Sequence, residues 1–194
     1  ALKHPNWKMG KKISIDSATL MNKVFEIIEA KKIFDYTYNQ LEILIHPDSY
    51  VHAIIKFKNG LTKMLIHDTN MKIPIFNSFY SDFEKNIQTS DLNINLLNKL
   101  NFANVDIDKF PIVEIIKQMP NNDSLFETVI VSANDKLVEL FLKKKISFNQ
   151  ISTLLLKIIK MKEFSKFKNI KVKNINEIVK LNNYVSLKIC NLAI

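Results

Sequence analysis

Four polar side chains near the start of the chain have types and spacing suited to chemistry: Ser17, Asn22, Lys23 and Glu26. Around them Leu20, Met21, Val24, Phe25, Ile27 and Ile28 recur at helical spacing. Asn22 and Glu26, four residues apart, share one helix face, and Lys23 lies beside Asn22. A hydroxyl, an amide and an ammonium near a helix N-terminus suit a phosphate group. A carboxylate suits a hard divalent cation. The same residues also suit an ordinary solvated helix face, and spacing alone leaves both readings open. The preceding loop favours a ligand: His4, Trp7 and Met9 crowd around Pro5 and Gly10. Such residues are costly on a solvated loop and useful on a flap that closes over a site.

The positioning elements follow from local pattern. Ile13 and Ile15 alternate with Ser14 and Asp16, which predicts a brief strand. Asp16 or Ser17 then caps a helix from Ser17 to Phe34 that ends near Asp35. Leu41–His46, Tyr50–Phe57 and Leu61–His67 read as strands, with Asn59-Gly60 as a hairpin turn between the last two. Val51, Ala53, Ile55 and Phe57 form one face of the middle strand; His52, Ile54 and Lys56 form the other. Asn77 to Asp108, rich in Asn, Asp and Ser, reads as a linker. Beyond it, Pro111 opens a helix through Met119, and Asn134–Lys144, Asn149–Phe164 and Asn174–Leu192 carry helical periodicity. Asn174 with Glu177 gives a start signal similar to a capping box. Leu154, Leu155, Ile158 and Ile159 predict a buried stripe.

The run His4-Pro5-Asn6-Trp7-Lys8-Met9-Gly10-Lys11-Lys12, continued through Ile13-Ser14-Ile15-Asp16-Ser17-Ala18-Thr19-Leu20-Met21-Asn22-Lys23 to Glu26, resembles 1-deoxy-D-xylulose 5-phosphate reductoisomerases. A weaker likeness covers Leu41–Ile75 and returns from Thr128–Leu142 to the end. The family chain is roughly twice as long, so the resemblance implies its second half. It also implies NADPH and Mg²⁺ or Mn²⁺ as cofactors, a small phosphorylated substrate and a homodimer. His4, Ser17, Asn22, Lys23 and Glu26 would contact substrate, and His4 and Trp7 would close the flap over it. Glu26 would also bind the metal, and Met9 and Gly10 would lie toward NADPH. His4, Trp7 and Glu26 are the catalytic candidates. His46 and His52 resemble positions at the edge of the family site, and Met71 one in a loop near the cofactor; half-buried strand histidines and a core methionine are the plainer readings.

Two departures stand out. Val24 occupies a family glycine position, and Ser132-Ala133-Asn134-Asp135 replaces Asn-Ala-Ala-Asn-Glu. Asp82-Phe83-Glu84 has the Asp-x-Glu form of the family's other metal ligands, but that pair belongs upstream of the flap and is not assigned here. No Gly-rich dinucleotide fingerprint follows a strand. The expected fold class is therefore α+β. Residues 1–80 form part of a catalytic domain with a small β-sheet and an active-site helix, 81–108 a linker, and 109–194 a C-terminal α-helical bundle. The NADPH-binding domain lies outside this chain.

Composition is compatible with that reading. The chain has 194 residues, 47% of them hydrophobic, and a net charge of +9. All 28 basic residues are Lys. Sequence-specific nucleic-acid readers rely heavily on Arg for bidentate contact with guanine, so the charge alone does not argue for nucleic acid. The rival is a non-enzymatic Lys-rich module that binds nucleic acid or acidic protein through Lys157–Lys173. It would leave the flap and the Ser17–Glu26 cluster unexplained. Cys190 is alone, which suits a reducing compartment. No apolar run is long enough to span a bilayer, and no signal-peptide pattern opens the chain. The expected location is the cytoplasm of a bacterium, or a plastid in a plastid-bearing eukaryote.

Overall fold

The computed structural model describes residues 10–80 and 85–193. The candidates His4, Trp7 and Met9, and the segment Asp82-Phe83-Glu84, lie outside the described residues. Two compact units are formed: Ala1–Ile43 with Asp106–Ile194, and Leu44–Val105. This division differs from the one expected at residues 80 and 108. The reason is that the first two helices pack into the same core as the C-terminal helices, not with the strands.

The predicted strand at Ile13–Asp16 is instead part of helix α1, Lys11–Thr19. Residues two apart on a helix point to nearly opposite faces, so Ile15 is buried and Ile13 is half exposed. Four alternating residues were too few to separate the two periods. The expected single helix is two helices, because Leu20 adopts a left-handed conformation, φ 63° and ψ 15°, between α1 and α2, Met21–Phe34. Leu20 N–H donates to the Ser17 carbonyl at 3.1 Å and closes α1, while its own carbonyl accepts from Lys23 N–H at 3.1 Å. Thr19 Oγ1 accepts the Met21 N–H at 3.3 Å, which satisfies one orphan donor of α2. Asp16 and Ser17 are thus interior residues of α1, not caps. Asp35, also left-handed at φ 54°, ends α2 at the expected place.

The C-terminal end of α2 is held by a polar cluster. Lys32 Nζ donates to Asp123 Oδ1 at 2.5 Å and meets Glu127 Oε2 at 2.8 Å. The Tyr38 hydroxyl donates to Glu127 Oε1 at 3.1 Å. Burial, then the Glu127 charge, pushes the Tyr38 hydroxyl far above the phenol range, so it stays a donor.

The C-terminal bundle contains α5, Phe126–Leu142, α6, Phe148–Ile158, a short α7, Lys162–Ser165, and α8, Ile175–Ala193. α5 starts eight residues before the predicted helix at Asn134, because Phe126, Val129, Ile130 and Ala133 extend the buried stripe backwards. The predicted helix Asn149–Phe164 breaks after Ile158, and α7 takes up its end. Leu155, Ile158 and Ile159 are buried and Leu154 partly so, as the stripe predicts. Leu181, Val185 and Ile189 supply the i, i+4, i+8 face of α8. Asn174 Oδ1 accepts the Glu177 N–H at 3.0 Å, while the Glu177 carboxylate accepts from Lys173 N–H, one residue short of a reciprocal capping box. Pro111–Gln118 is a 3-10 helix that buries Ile112 and Ile115 in the same core. Val24 is fully buried there.

In the other unit, β2, Val51–Lys56, pairs antiparallel with β3, Thr62–Ile66. Gly60 at φ 89° makes the turn between them. The predicted first strand shortens to β1, Leu44–Ile45, which pairs with β4, Ala103–Asn104, and not with the hairpin. Its partner thus comes from the predicted linker, which also holds the end of α3, Lys72–Phe79, and α4, Ile94–Leu97. The register of β2 against β3 shifts between Val51 and Ala53, yet Val51, His52 and Ala53 keep the expected alternation of burial, which is lost only from Ile55, itself exposed.

Two predictions concern this framework. Leu20 sits where a β-branched side chain is strained. Leu20→Val should destabilise the chain by about 1–3 kcal/mol in urea unfolding; an unchanged midpoint would show that the break is not a constraint. Glu139 lies between Lys136, at 2.8 Å, and Lys143. The bond from Lys136, then that from Lys143, lowers its carboxyl from 4.5 to about 2. Because the folded pKa is below the unfolded one, this contribution is present above 4.5 and is lost as pH falls toward about 2. The stability difference between the chain and Glu139→Gln should therefore be flat at neutral pH and narrow through that window. Being exposed, the contribution should also shrink in high salt. A difference that does not change with pH would refute the assignment.

Candidate functional site

Asn22, Lys23 and Glu26 lie within the first two turns of α2, immediately after the Leu20 break. Lys23 Nζ donates to both Glu26 oxygens, at 2.9 Å to Oε2 and 3.2 Å to Oε1. Asn22 Nδ2 approaches Glu26 Oε1 at 3.5 Å. The predicted convergence of amide, ammonium and carboxylate is therefore present. Ser17 is half buried on the other side of the break, in the last turns of α1.

Asn22 Oδ1 is buried with no hydrogen-bond partner among the described residues. A carbonyl oxygen in that state is unsatisfied and open to a donor or a cation. The Lys23–Glu26 pair is solvent-exposed on both sides, with 41% and 53% of each side chain accessible. Such a pair contributes about 0–1 kcal/mol and exchanges readily for a stronger counter-charge.

The donor set fits one edge of a metal site and not a whole one. Glu26 offers an anionic oxygen, whereas a magnesium-like ion requires about six oxygens, several of them water. No group of three or more His, Cys, Asp or Glu gathers among the described residues. Gly10 precedes α1 with φ −60°, and a Cβ there would meet no described atom within 4 Å. Nothing among the described residues requires glycine at this position.

Residues that the motif did not single out hold this region together. Asp16 is buried in α1; its Oδ2 accepts from Lys12 Nζ at 2.7 Å and its Oδ1 from Asn134 Nδ2 at 2.7 Å. Lys12 also pairs with Asp135 at 3.0 Å and lies 5.4 Å from the centre of the Phe25 ring. Burial acts against the Lys12 ammonium, but the bonds from Asp16 and then Asp135 outweigh it and hold it above the ordinary lysine range. The i, i+4 spacing of Lys12 and Asp16 was a readable signal. The link to Asn134 spans 118 residues and had none.

The remaining candidates lie in the other compact unit. His46 Nδ1 donates to the Asn101 carbonyl at 3.0 Å, and its ring is 5.0 Å from that of Phe102. His52 stacks on His67 with ring centres 3.6 Å apart. Met71 is exposed at the start of α3.

Comparison with known proteins gives a consistent answer. Residues 67–186 match the family described as DXP reductoisomerase C-terminal domain. Residues 1–34 match the 1-deoxy-D-xylulose 5-phosphate reductoisomerase C-terminal domain. A 1-deoxy-D-xylulose 5-phosphate reductoisomerase of Pelagibacter ubique is 62% identical over all of this chain and 50% of its own length. That of Chloroherpeton thalassium is 42% identical over 80% of this chain and 40% of its own. The chain thus spans about half the length of the curated relatives it matches. A crystal structure of DOX-P reductoisomerase with NADPH, fosmidomycin and magnesium superposes on all of the chain and 48% of its own length, with TM-score 0.86 and 29% identity. The Zymomonas mobilis enzyme in complex with NADPH does so with TM-score 0.80 and 27% identity. On these matches, the chain belongs to the 1-deoxy-D-xylulose 5-phosphate reductoisomerase family, of which it carries the C-terminal half.

Proposed function

We propose that the protein of which this chain forms half converts 1-deoxy-D-xylulose 5-phosphate to 2-C-methyl-D-erythritol 4-phosphate with NADPH and Mg²⁺ or Mn²⁺. It would serve non-mevalonate isoprenoid biosynthesis in the bacterial cytoplasm. The chain alone holds part of the site and is inactive by itself. The observation that carries this reading is the cluster of Asn22, Lys23 and Glu26 at the start of α2.

In this reading Ser17, Asn22 and Lys23 hold the phosphate. Lys23 exchanges the Glu26 carboxylate for the phosphate oxygens, a stronger counter-charge. Glu26, released, then supplies one anionic oxygen to the cation, whose chemistry when bound is to polarise the substrate oxygens and fix their orientation. Ser17 completes the phosphate cradle from α1. The flap residues His4 and Trp7 close over substrate and exclude water, and Met9 and Gly10 lie toward NADPH. Phosphate binding remote from the reacting carbons would help drive that closure. Nucleic acid and membrane are not among the proposed partners; no helix among the described residues is long and apolar enough to cross a membrane.

We also propose a homodimer formed through the strand region. Ile54, Ile55, Leu61, Met64 and Leu65 of the hairpin are exposed, more apolar surface than an isolated unit carries comfortably.

The test uses a full-length chimera in which this chain follows the amino-terminal half of the Pelagibacter ubique relative. Glu26→Gln keeps shape but removes the charge. It should lower kcat by orders of magnitude at saturating Mg²⁺ and leave NADPH binding intact. Lys23→Ala removes a charge-assisted contact worth about 1.5–3 kcal/mol and should chiefly raise KM for the phosphorylated substrate. Near-normal turnover in Glu26→Gln would make Glu26 an ordinary surface carboxylate. In sedimentation at micromolar concentration the chimera should run as a dimer; a monomer mass would overturn the assembly proposal.

A further inference from the structure

The contact between Asp16 and Asn134 places a carboxylate and an amide side by side in a largely apolar core. Asn134 lies in the middle of α5, fully buried, among Ile130, Ala133, Leu137 and Val138. Its Nδ2 is spent on Asp16, so its Oδ1 is turned away, and that oxygen is buried with no partner among the described residues. Reversing the amide would set its oxygen against a carboxylate, so the orientation is fixed by Asp16. An apolar pair would fill this space without leaving an unsatisfied oxygen. The polar pair is therefore better explained by geometry than by stability.

The geometry it sets is that of α1. Asp16 is the residue before Ser17, and four residues before the left-handed Leu20 where the chain changes direction into α2. Asp16 bonds Asn134, and Lys12 bonds Asp135, so two residues one turn apart on α1 are tied to α5, and this limits how far α1 rolls about its own axis. Lys12 extends the hold to α2 through Phe25, the neighbour of Glu26. The two halves of the proposed phosphate cradle, Ser17 on α1 and Asn22 with Lys23 on α2, stand on either side of the break at Leu20, which the Thr19 hydroxyl and the Met21 N–H span. The link to α5 adds a tether on the α1 side of that break.

We propose that Asp16 and Asn134 are positioning residues for substrate phosphate. They act through α1 on Ser17 and contact no substrate themselves. The proposal rests on the phosphate reading of Ser17, Asn22 and Lys23. It assigns the C-terminal bundle a part in substrate specificity, through one amide on α5.

The full-length chimera tests it by exchange of the pair. Asn134→Asp sets two carboxylates face to face. It should raise KM for the phosphorylated substrate about tenfold, the size expected for coupling between contacting side chains, with the NADPH KM unchanged and kcat changed far less. The double variant Asp16→Asn with Asn134→Asp restores a carboxylate–amide pair with the charge moved to α5, and should return KM to within about threefold of the parent. A structural role alone would lower thermal stability in both single variants and leave KM in place. The clamp is overturned if Asn134→Asp loses stability without a change in KM, or if the exchanged pair fails to recover KM. Lys23→Ala, run alongside, separates this from the reading beneath it. If Lys23→Ala raises KM and the exchange series does not behave as described, the clamp fails alone. If Lys23→Ala leaves KM unchanged, the phosphate reading fails and the proposal falls with it.

Discussion

Asp16 is a carboxylate held at 3% exposure, and its burial constrains everything around it. A charge withdrawn from water costs several kcal/mol unless it is bonded. Here each oxygen has a donor, one from Lys12 in its own helix and one from Asn134 in α5. The bond within α1 survives any roll of that helix, whereas the bond to Asn134 requires the face of α1 that carries Asp16 to turn toward α5. That orientation puts Ile15 in the core and Ile13 at the surface, and leaves Thr19 buried immediately before the break, where its hydroxyl meets the first N–H of α2. The start of α2, and with it Asn22, Lys23 and Glu26, is therefore placed by interactions that lie along α1. The apolar residues Met21, Val24 and Ile27 then face the same core as α5, which keeps the polar face of α2 outward.

Much of this was legible in the sequence. The helical period of Met21, Val24 and Ile27 places Asn22 and Glu26 on the opposite face, and the structure agrees. The end at Asp35, the turn at Gly60 and the stripe through Leu155 and Ile159 follow from local rules and needed no tertiary information. The failures share a cause. Ile13 to Asp16 could alternate as a strand or wind as a helix, and the decision belongs to Asn134, far away in the chain. Leu20 carries no marker of its left-handed conformation, because leucine is a poor choice for it and only the packing on both sides enforces it. β1 and β4 are two residues each, and their pairing joins segments with little strand pattern of their own. The domain boundary was missed because it depends on which core the first helices join, and a change of period along the chain does not reveal that.

The ion pair between Lys23 and Glu26 has a further consequence for the proposed site. In a protein with net charge +9, a lone exposed lysine would attract any small anion, and a lone carboxylate beside it any cation. Joined, each satisfies the other at little net gain, since both side chains remain in water. An incoming phosphate that draws Lys23 away leaves Glu26 without its counter-charge, and a divalent cation then binds that carboxylate without competing against an ammonium. A cation on Glu26 in turn frees Lys23 for the phosphate. Thermodynamic linkage makes the two effects equal in size. In the proposed reading the pair would couple the two ligands of a single substrate complex through one pair of side chains. In the proposed reading α2 would not supply the Ser17 part of the phosphate cradle, which is why the orientation of α1, and the buried carboxylate proposed to set it, would matter to a site that Asp16 itself does not contact.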